Sequence, residues 1–181
     1  DQNNVIIVYP YITSFVGMRN ENCWGYWFDN EIHEGAGEAA DLYNLAKEVE
    51  TKYSIDPERR YITGLSSGGA MTVIEAIAYN EYWAAAASVS GLPYGDGSTT
   101  VTSDMFLNDS TYHKNKIVAE LDSNRPIPML VVNSTRDEIV RIKAAELIRD
   151  SHLMAFGADT SADGSSDCSA EGISCTLTNY N

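Results

Sequence analysis

The chain has 181 residues, enough for one domain with a sizeable core, and its 44% hydrophobic and 21% charged residues are ordinary for a soluble globular protein. Twelve Lys and Arg against 26 Asp and Glu leave a net charge of −14, a field that repels phosphate backbones and anionic lipid and so argues against nucleic-acid or membrane-surface partners. No apolar run approaches the roughly 18 residues of a membrane span, and no basic stretch followed by an apolar one precedes the first predicted strand.

The first residue is Asp rather than Met, so the chain is read as processed, trimmed or partial. Residues 5–9, Val-Ile-Ile-Val-Tyr, form a continuous apolar run of strand length, as expected of a strand buried on both faces of a parallel sheet, and Pro10 ends it. A polar and aromatic loop follows, through Cys23, Trp24, Tyr26, Trp27 and Phe28 to Gly35 and Gly37. Over residues 38–53, Ala39, Leu42, Leu45, Ala46, Val49 and Tyr53 recur at helical spacing. After a turn at Asp56-Pro57, residues 60–63 read as a short strand, and residues 70–78 as a helix with Met71, Ile74 and Ala78 on one face.

Further strands are predicted over residues 84–90 and 127–133, separated by a loop over 91–97 and a helix over 112–121. Residues 139–156 then read as a helix that stops at Gly157, residues 158–175 as loop, and 176–178 as the start of one more strand. Strands alternating with helices predict a mostly parallel sheet with helices on both faces, all of residues 1–181 forming a single α/β domain or most of one.

Between the strand over 60–63 and the helix over 70–78 stands Gly64-Leu65-Ser66-Ser67-Gly68. This is the G-x-S-x-G pattern of a nucleophile elbow, and its setting after a strand and before a helix is the one such an elbow requires. Ser66 is therefore the candidate nucleophile, and the backbone N–H of Ser67, at the helix start, one oxyanion donor. A serine hydroxyl needs a base, and the base an orienting acid. Asp137, in the turn Ser134-Thr135-Arg136-Asp137-Glu138 after a strand, is the candidate acid, with Glu138 as fallback; the competing role for Asp137 is a helix cap.

No histidine fits as the base. His152 lies along the helix predicted after Asp137, about 20 Å from its start, and His33 and His113 precede the acid in polar, solvent-facing surroundings. Trp24 and Trp27, with Tyr26 and Phe28, offer either an apolar platform for substrate or core packing. Cys168 and Cys175 bracket a Gly, Ser and Asp-rich loop, where a local disulfide and an oxidising compartment are the better reading and two free thiols the other. Cys23 is left over. No metal-ligand spacing and no phosphate-cradling loop occur, so neither metal nor cofactor is expected.

Taken in order, Val8-Tyr9-Pro10, Cys23-Trp24 with Trp27-Phe28-Asp29, Gly37-Glu38, Asp56-Pro57, Gly64-Leu65-Ser66-Ser67-Gly68-Gly69-Ala70-Met71 and Ser90-Gly91-Leu92-Pro93-Tyr94 make the chain resemble a family. It is the poly(3-hydroxybutyrate) depolymerase and feruloyl esterase group of secreted α/β-hydrolases. The resemblance implies Ser66 as nucleophile and Asp137 as triad acid. It also implies a His-Gly-Cys segment before residue 1, whose backbone completes the oxyanion hole and whose Cys pairs with Cys23, and a catalytic histidine beyond residue 181. The function so implied is ester hydrolysis on a polyester or plant cell-wall ester, with feruloyl or acetyl-xylan esterase as the close rival. A binding module that keeps the fold without the triad is the alternative from another class.

Overall fold

Three strands line up around the glycine-serine corner. In the computed structural model, which describes residues 4–12, 23–97 and 108–181, β1 (Tyr61–Leu65), β2 (Ala85–Val89) and β3 (Met129–Val132) form a parallel sheet in that order. The register sets Gly64 beside Ser88 and Ser88 beside Val131. Residues alternate between faces in a strand, so Ile62, Gly64, Ala86, Ser88, Met129 and Val131 share one face.

Helix α2 (Ser67–Ala78) covers that face. Every residue from Gly69 to Ala78 is buried, not only the predicted stripe of Met71, Ile74 and Ala78, because α1 (Gly37–Lys52) and α3 (Ser110–Glu120), as well as the sheet, pack on it. Helix α4 (Ile142–Ala155) packs on α3 and β3. The opposite face carries Tyr61, Leu65, Leu130 and Val132, exposed at 66, 66, 49 and 42%. The expectation of helices on both faces is thus met on one face among the described residues.

Several expectations change in detail. Residues 5–9 form no strand and are 42–85% exposed, and no described strand lies beside them; an apolar run carries strand propensity but does not by itself make a ladder. Residues 13–22 of the predicted polar loop lie outside the described residues. Helix α4 starts at Ile142 rather than Ile139, because the N–H groups of Ile139 and Val140 are committed to the Asp137 carboxylate. The stretch over 158–175 is not all loop. Gly164–Asp167 (β4) pairs antiparallel with Thr176–Asn179 (β5), and the next register position holds Cys168 and Cys175, disulfide-bonded with Cα atoms 4.8 Å apart. Polar residues there gave no alternating pattern to read.

Polar groups fix the lower end of the sheet. The Asn80 amide donates to the carbonyls of Ser123 and Arg125, at 3.1 and 2.9 Å, and the Arg125 guanidinium donates back to the carbonyls of Asn80 and Trp83. Glu75 is different. It is fully buried within α2, its Oε2 accepting from Trp83 Nε1 at 3.0 Å while Oε1 has no hydrogen-bond partner among the described residues.

Burial, opposed only by the Trp83 N–H, pushes the Glu75 carboxyl from 4.5 up to about 8. The neutral acid is the form that folds, so its contribution is fully present below pH 4.5 and is lost as pH rises through about 8. Glu75→Gln keeps the shape and the Trp83 bond without the charge. Thermal unfolding of the full-length protein between pH 5 and 8.5 should show the parent losing stability that the variant keeps, a gap of a few kcal/mol at the alkaline end; parallel curves would contradict it. His113 and His152 act oppositely. Burial holds both below 6.5, so their contribution is present above that pH and lost as pH falls.

Candidate active site

Ser66 stands directly past the carboxyl end of β1, at φ +57° and ψ −120°, a backbone region that residues other than glycine rarely occupy. The twist is held from both sides. The Ser66 N–H donates to the Val89 carbonyl at 2.9 Å, and its own carbonyl accepts the first helical bond, from Ala70 N, at 2.9 Å. Its side chain is exposed and caps nothing. The hydroxyl is thereby left outside the fold's own hydrogen bonding, where a reacting group belongs.

The surrounding glycines permit backbone contacts that no side chain would survive. A Cβ at Gly64 would lie 2.2 Å from the Gly68 carbonyl oxygen, and one at Gly69 would lie 2.6 Å from that of Val89. Strand and helix meet here backbone to backbone, and Ser88 Oγ donates to the Gly69 carbonyl at 2.9 Å across the same contact. Gly64→Ala should therefore displace the corner. The full-length Gly64→Ala variant is expected to melt well below the parent, and a parental melting temperature would refute the packing argument.

Beside the serine, the N–H of Ser67 is the first of α2 and has no intrahelical acceptor; with the helix dipole behind it, it can meet a developing oxyanion. The Ser67 hydroxyl accepts from Trp24 N at 3.3 Å, which lays the Trp24 loop against the corner. That loop is anchored in turn by Glu38, whose Oε2 accepts from Gly25 N at 2.6 Å and whose N–H donates to Glu31. Trp24 thus borders the elbow. Trp27 packs on the core in an aromatic row, edge-to-face with Tyr26 at 4.8 Å and tilted against Phe28 at 5.2 Å, and Tyr26 is buried. A cavity of about 520 Å³ lies on the α1 side of Trp24, lined by Pro10, Tyr11, Leu42 and Leu45 among others; neither Ser66 nor Asp137 lines it.

Asp137 follows β3 after a tight turn, closed by Asp137 N on the Ser134 carbonyl at 3.1 Å. Its Oδ1 accepts from Ile139 N and Val140 N, both at 2.9 Å, and its Oδ2 from Ser90 Oγ at 2.9 Å. Asn133 Nδ2 closes the loop on the Val140 carbonyl at 3.3 Å. Burial works to raise the Asp137 pKa, but the two N–H groups, the Ser90 hydroxyl and the Arg141 charge outweigh it and hold the carboxyl below 3.8. It is ionised at neutral pH. The side chain caps the loop that precedes α4 rather than the helix itself, whose N-cap is Arg141, so the competing role weighed from sequence, a helix cap, is not the one it takes; its other oxygen is turned toward β2.

Neighbouring strands are about 4.8 Å apart, so the carboxyl ends of β1 and β3 lie about 10 Å apart with β2 between them. An imidazole bridging a hydroxyl and a carboxylate needs a gap of that order. No histidine of residues 1–181 fills it. His152 bonds through Nε2 to the Ile127 carbonyl, 3.0 Å away before the start of β3 and so at the far end of the sheet. His33 ties its loop to α3 through Glu120, Nδ1 to Oε2 being 2.6 Å, and this bond raises its pKa above 6.5. His113 corrects an expectation. Far from facing solvent it is fully buried, bonding through Nδ1 to the Tyr94 carbonyl at 2.9 Å, because its side of α3 is the side that packs on the domain.

Ser90 and Glu38 were not singled out from the sequence as site residues. Both belong to quoted motifs, but their partners, 47 and 13 residues away, are visible only in three dimensions.

A serine on a strained strand-to-helix corner of a parallel sheet, with an ionised carboxylate two strands along, defines the α/β-hydrolase fold. A solved acetyl xylan esterase from Aspergillus awamori superposes with a TM-score of 0.74, covering 82% of this chain and 59% of that one at 20% identity. A family model described as esterase PHB depolymerase matches residues 1–169, and the chain belongs to that family.

Similar curated proteins include a poly(3-hydroxyalkanoate) depolymerase C from Paucimonas lemoignei, 36% identical over 88 residues, which are 49% of this chain and 21% of that protein. Feruloyl esterase B from Talaromyces funiculosus is 30% identical over 118 residues, 65% of this chain and 32% of that protein. A probable acetylxylan esterase A from Aspergillus fumigatus is 32% identical over 91 residues, 50% and 23% of the two. The chain spans about a third or less of the length of these curated relatives. Among the described residues no helix is long and apolar enough to cross a membrane, and no group of three His, Cys, Asp or Glu is placed to hold a metal ion.

Proposed function

We propose that this chain is the catalytic core of a secreted serine esterase, with Ser66 as nucleophile, Asp137 as the orienting acid, the Ser67 N–H as oxyanion donor and a histidine outside residues 1–181 as base. The observation that carries the reading is the exposed Ser66 hydroxyl at φ +57°, two strands from a carboxylate held ionised. Ser66 Oγ would add to the ester carbonyl as its proton passes to the imidazole, and the Ser67 N–H would take up the negative charge on the carbonyl oxygen. The imidazolium would then protonate the leaving alcohol, and a water activated by the same imidazole would release the acyl group. The Cys168–Cys175 disulfide supports an oxidising compartment.

A polyester of the hydroxyalkanoate type is the proposed substrate, supported by the family match and by the similarity to a poly(3-hydroxyalkanoate) depolymerase. Feruloyl and acetylxylan esterases are also among the relatives, and Trp24 beside the elbow suits an aromatic acyl group equally. The full-length protein should release p-nitrophenol from a short-chain ester. Clearing of a poly(3-hydroxybutyrate) film without ferulate release supports the polyester; the reverse supports the cell-wall ester. A folded full-length protein inactive on all three would leave the binding-module reading, which the engagement of all three histidines elsewhere favours.

A further inference from the structure

We infer that Ser90 is a positioning residue for the acid of the catalytic set, an inference that rests on the assignment of Asp137 above. Ser90 follows β2, the strand between nucleophile and acid, and the chain there grips both. The Val89 carbonyl accepts from Ser66 N at 2.9 Å, and Ser90 N donates to the Val132 carbonyl at 2.8 Å. Ser90 itself sits at φ +45°, so two adjacent strands each end on a serine in the left-handed region. Such a conformation is costly for a residue with a Cβ and persists only where the surroundings impose it. Here it accompanies an Oγ that reaches Asp137 Oδ2 at 2.9 Å.

The division of labour on the carboxylate gives the bond its meaning. Oδ1 accepts from two backbone N–H groups, which occupies both of its lone pairs. Oδ2 takes the Ser90 proton on one lone pair and keeps the other, and that remaining pair is the one available to an imidazole N–H. The Ser90 hydroxyl therefore fixes the rotation of the carboxylate about its Cβ–Cγ bond and sets the direction from which the base is held. Without it, Oδ1 stays anchored while Oδ2 faces its partner with charge less dispersed.

Two variants of the full-length enzyme separate the hydroxyl from the backbone. Ser90→Ala keeps the strained φ and loses the donor; Ser90→Gly loses the donor and relieves the strain. Both should lower kcat on a p-nitrophenyl ester about 10-fold, with KM within 2-fold, since the lost bond acts on the base rather than on substrate. Both should also shift the acid limb of the kcat/KM profile to higher pH, because a carboxylate with one hydrogen bond fewer stabilises the imidazolium more strongly. Parental kcat and an unshifted limb in either variant, with Asp137→Asn inactive, would overturn the role of Ser90 and leave that of Asp137 standing. Parental activity in Asp137→Asn would instead remove the assignment on which the inference rests.

Discussion

Ser66→Ala is expected to lower kcat on a soluble ester by about 10⁵- to 10⁶-fold while leaving the fold and the affinity for substrate nearly intact. The size follows from the proposed chemistry: without an oxygen at this corner no acyl-enzyme could form, and what would remain is the Ser67 N–H and binding alone. Preservation of the fold follows from the structure. The Ser66 side chain caps no helix and is exposed, and alanine meets the same backbone penalty at φ +57° as serine does. Melting temperature should move by no more than a degree or two. A variant that retained a tenth of the parental kcat, or that unfolded, would contradict the placement of Ser66 outside the structural hydrogen bonds.

The second large effect is expected at Asp137. Asp137→Asn should cost about 10⁴-fold in kcat, and the reason lies in the loop that follows β3. The N–H groups of Ile139 and Val140 require an acceptor at Oδ1, so an asparagine must place its carbonyl oxygen there and its NH₂ where Oδ2 now sits. That NH₂ would face the imidazole as a donor and force the wrong tautomer. Ser90 Oγ can turn to accept from the same NH₂, so the loop survives and the loss falls on chemistry. Steady-state kinetics beside circular dichroism would check this; a loss below 10-fold would mean that the carboxylate serves only as a loop cap.

What could be read in the sequence follows how local each signal is. The elbow was legible because strand, corner and helix are contiguous, and the glycines that let Gly64 approach Gly68 and Gly69 approach Val89 are written into the same few residues. The placement of Asp137 was legible for a similar reason, as a carboxylate in the turn directly after an apolar strand. The bond from Ser90 to Asp137 joins residues 47 apart across a strand boundary, and no periodicity announces it. The pairing of Gly164–Asp167 with Thr176–Asn179 was hidden by polar composition, although the spacing of Cys168 and Cys175 marked its closed end.

Buried polar groups escaped for a related reason. His113 and Glu75 lie on helices whose other residues suggest either surface or core, and which side faces inward is decided by packing between α2, α3 and the sheet. The run over residues 5–9 shows the converse. Its composition says strand, yet a strand exists only beside another.

The central claim is that the hydroxyl at position 66 is an activated nucleophile. Incubating the full-length protein with a p-nitrophenyl alkylphosphonate, then digesting it and locating the adduct by mass spectrometry, tests that claim most directly. The account predicts one phosphonyl group per chain, on Ser66 within the peptide spanning residues 61–73, formed far more slowly in Asp137→Asn. An adduct on Ser67, Ser90 or any residue other than Ser66, or a folded and unlabelled protein, would contradict it.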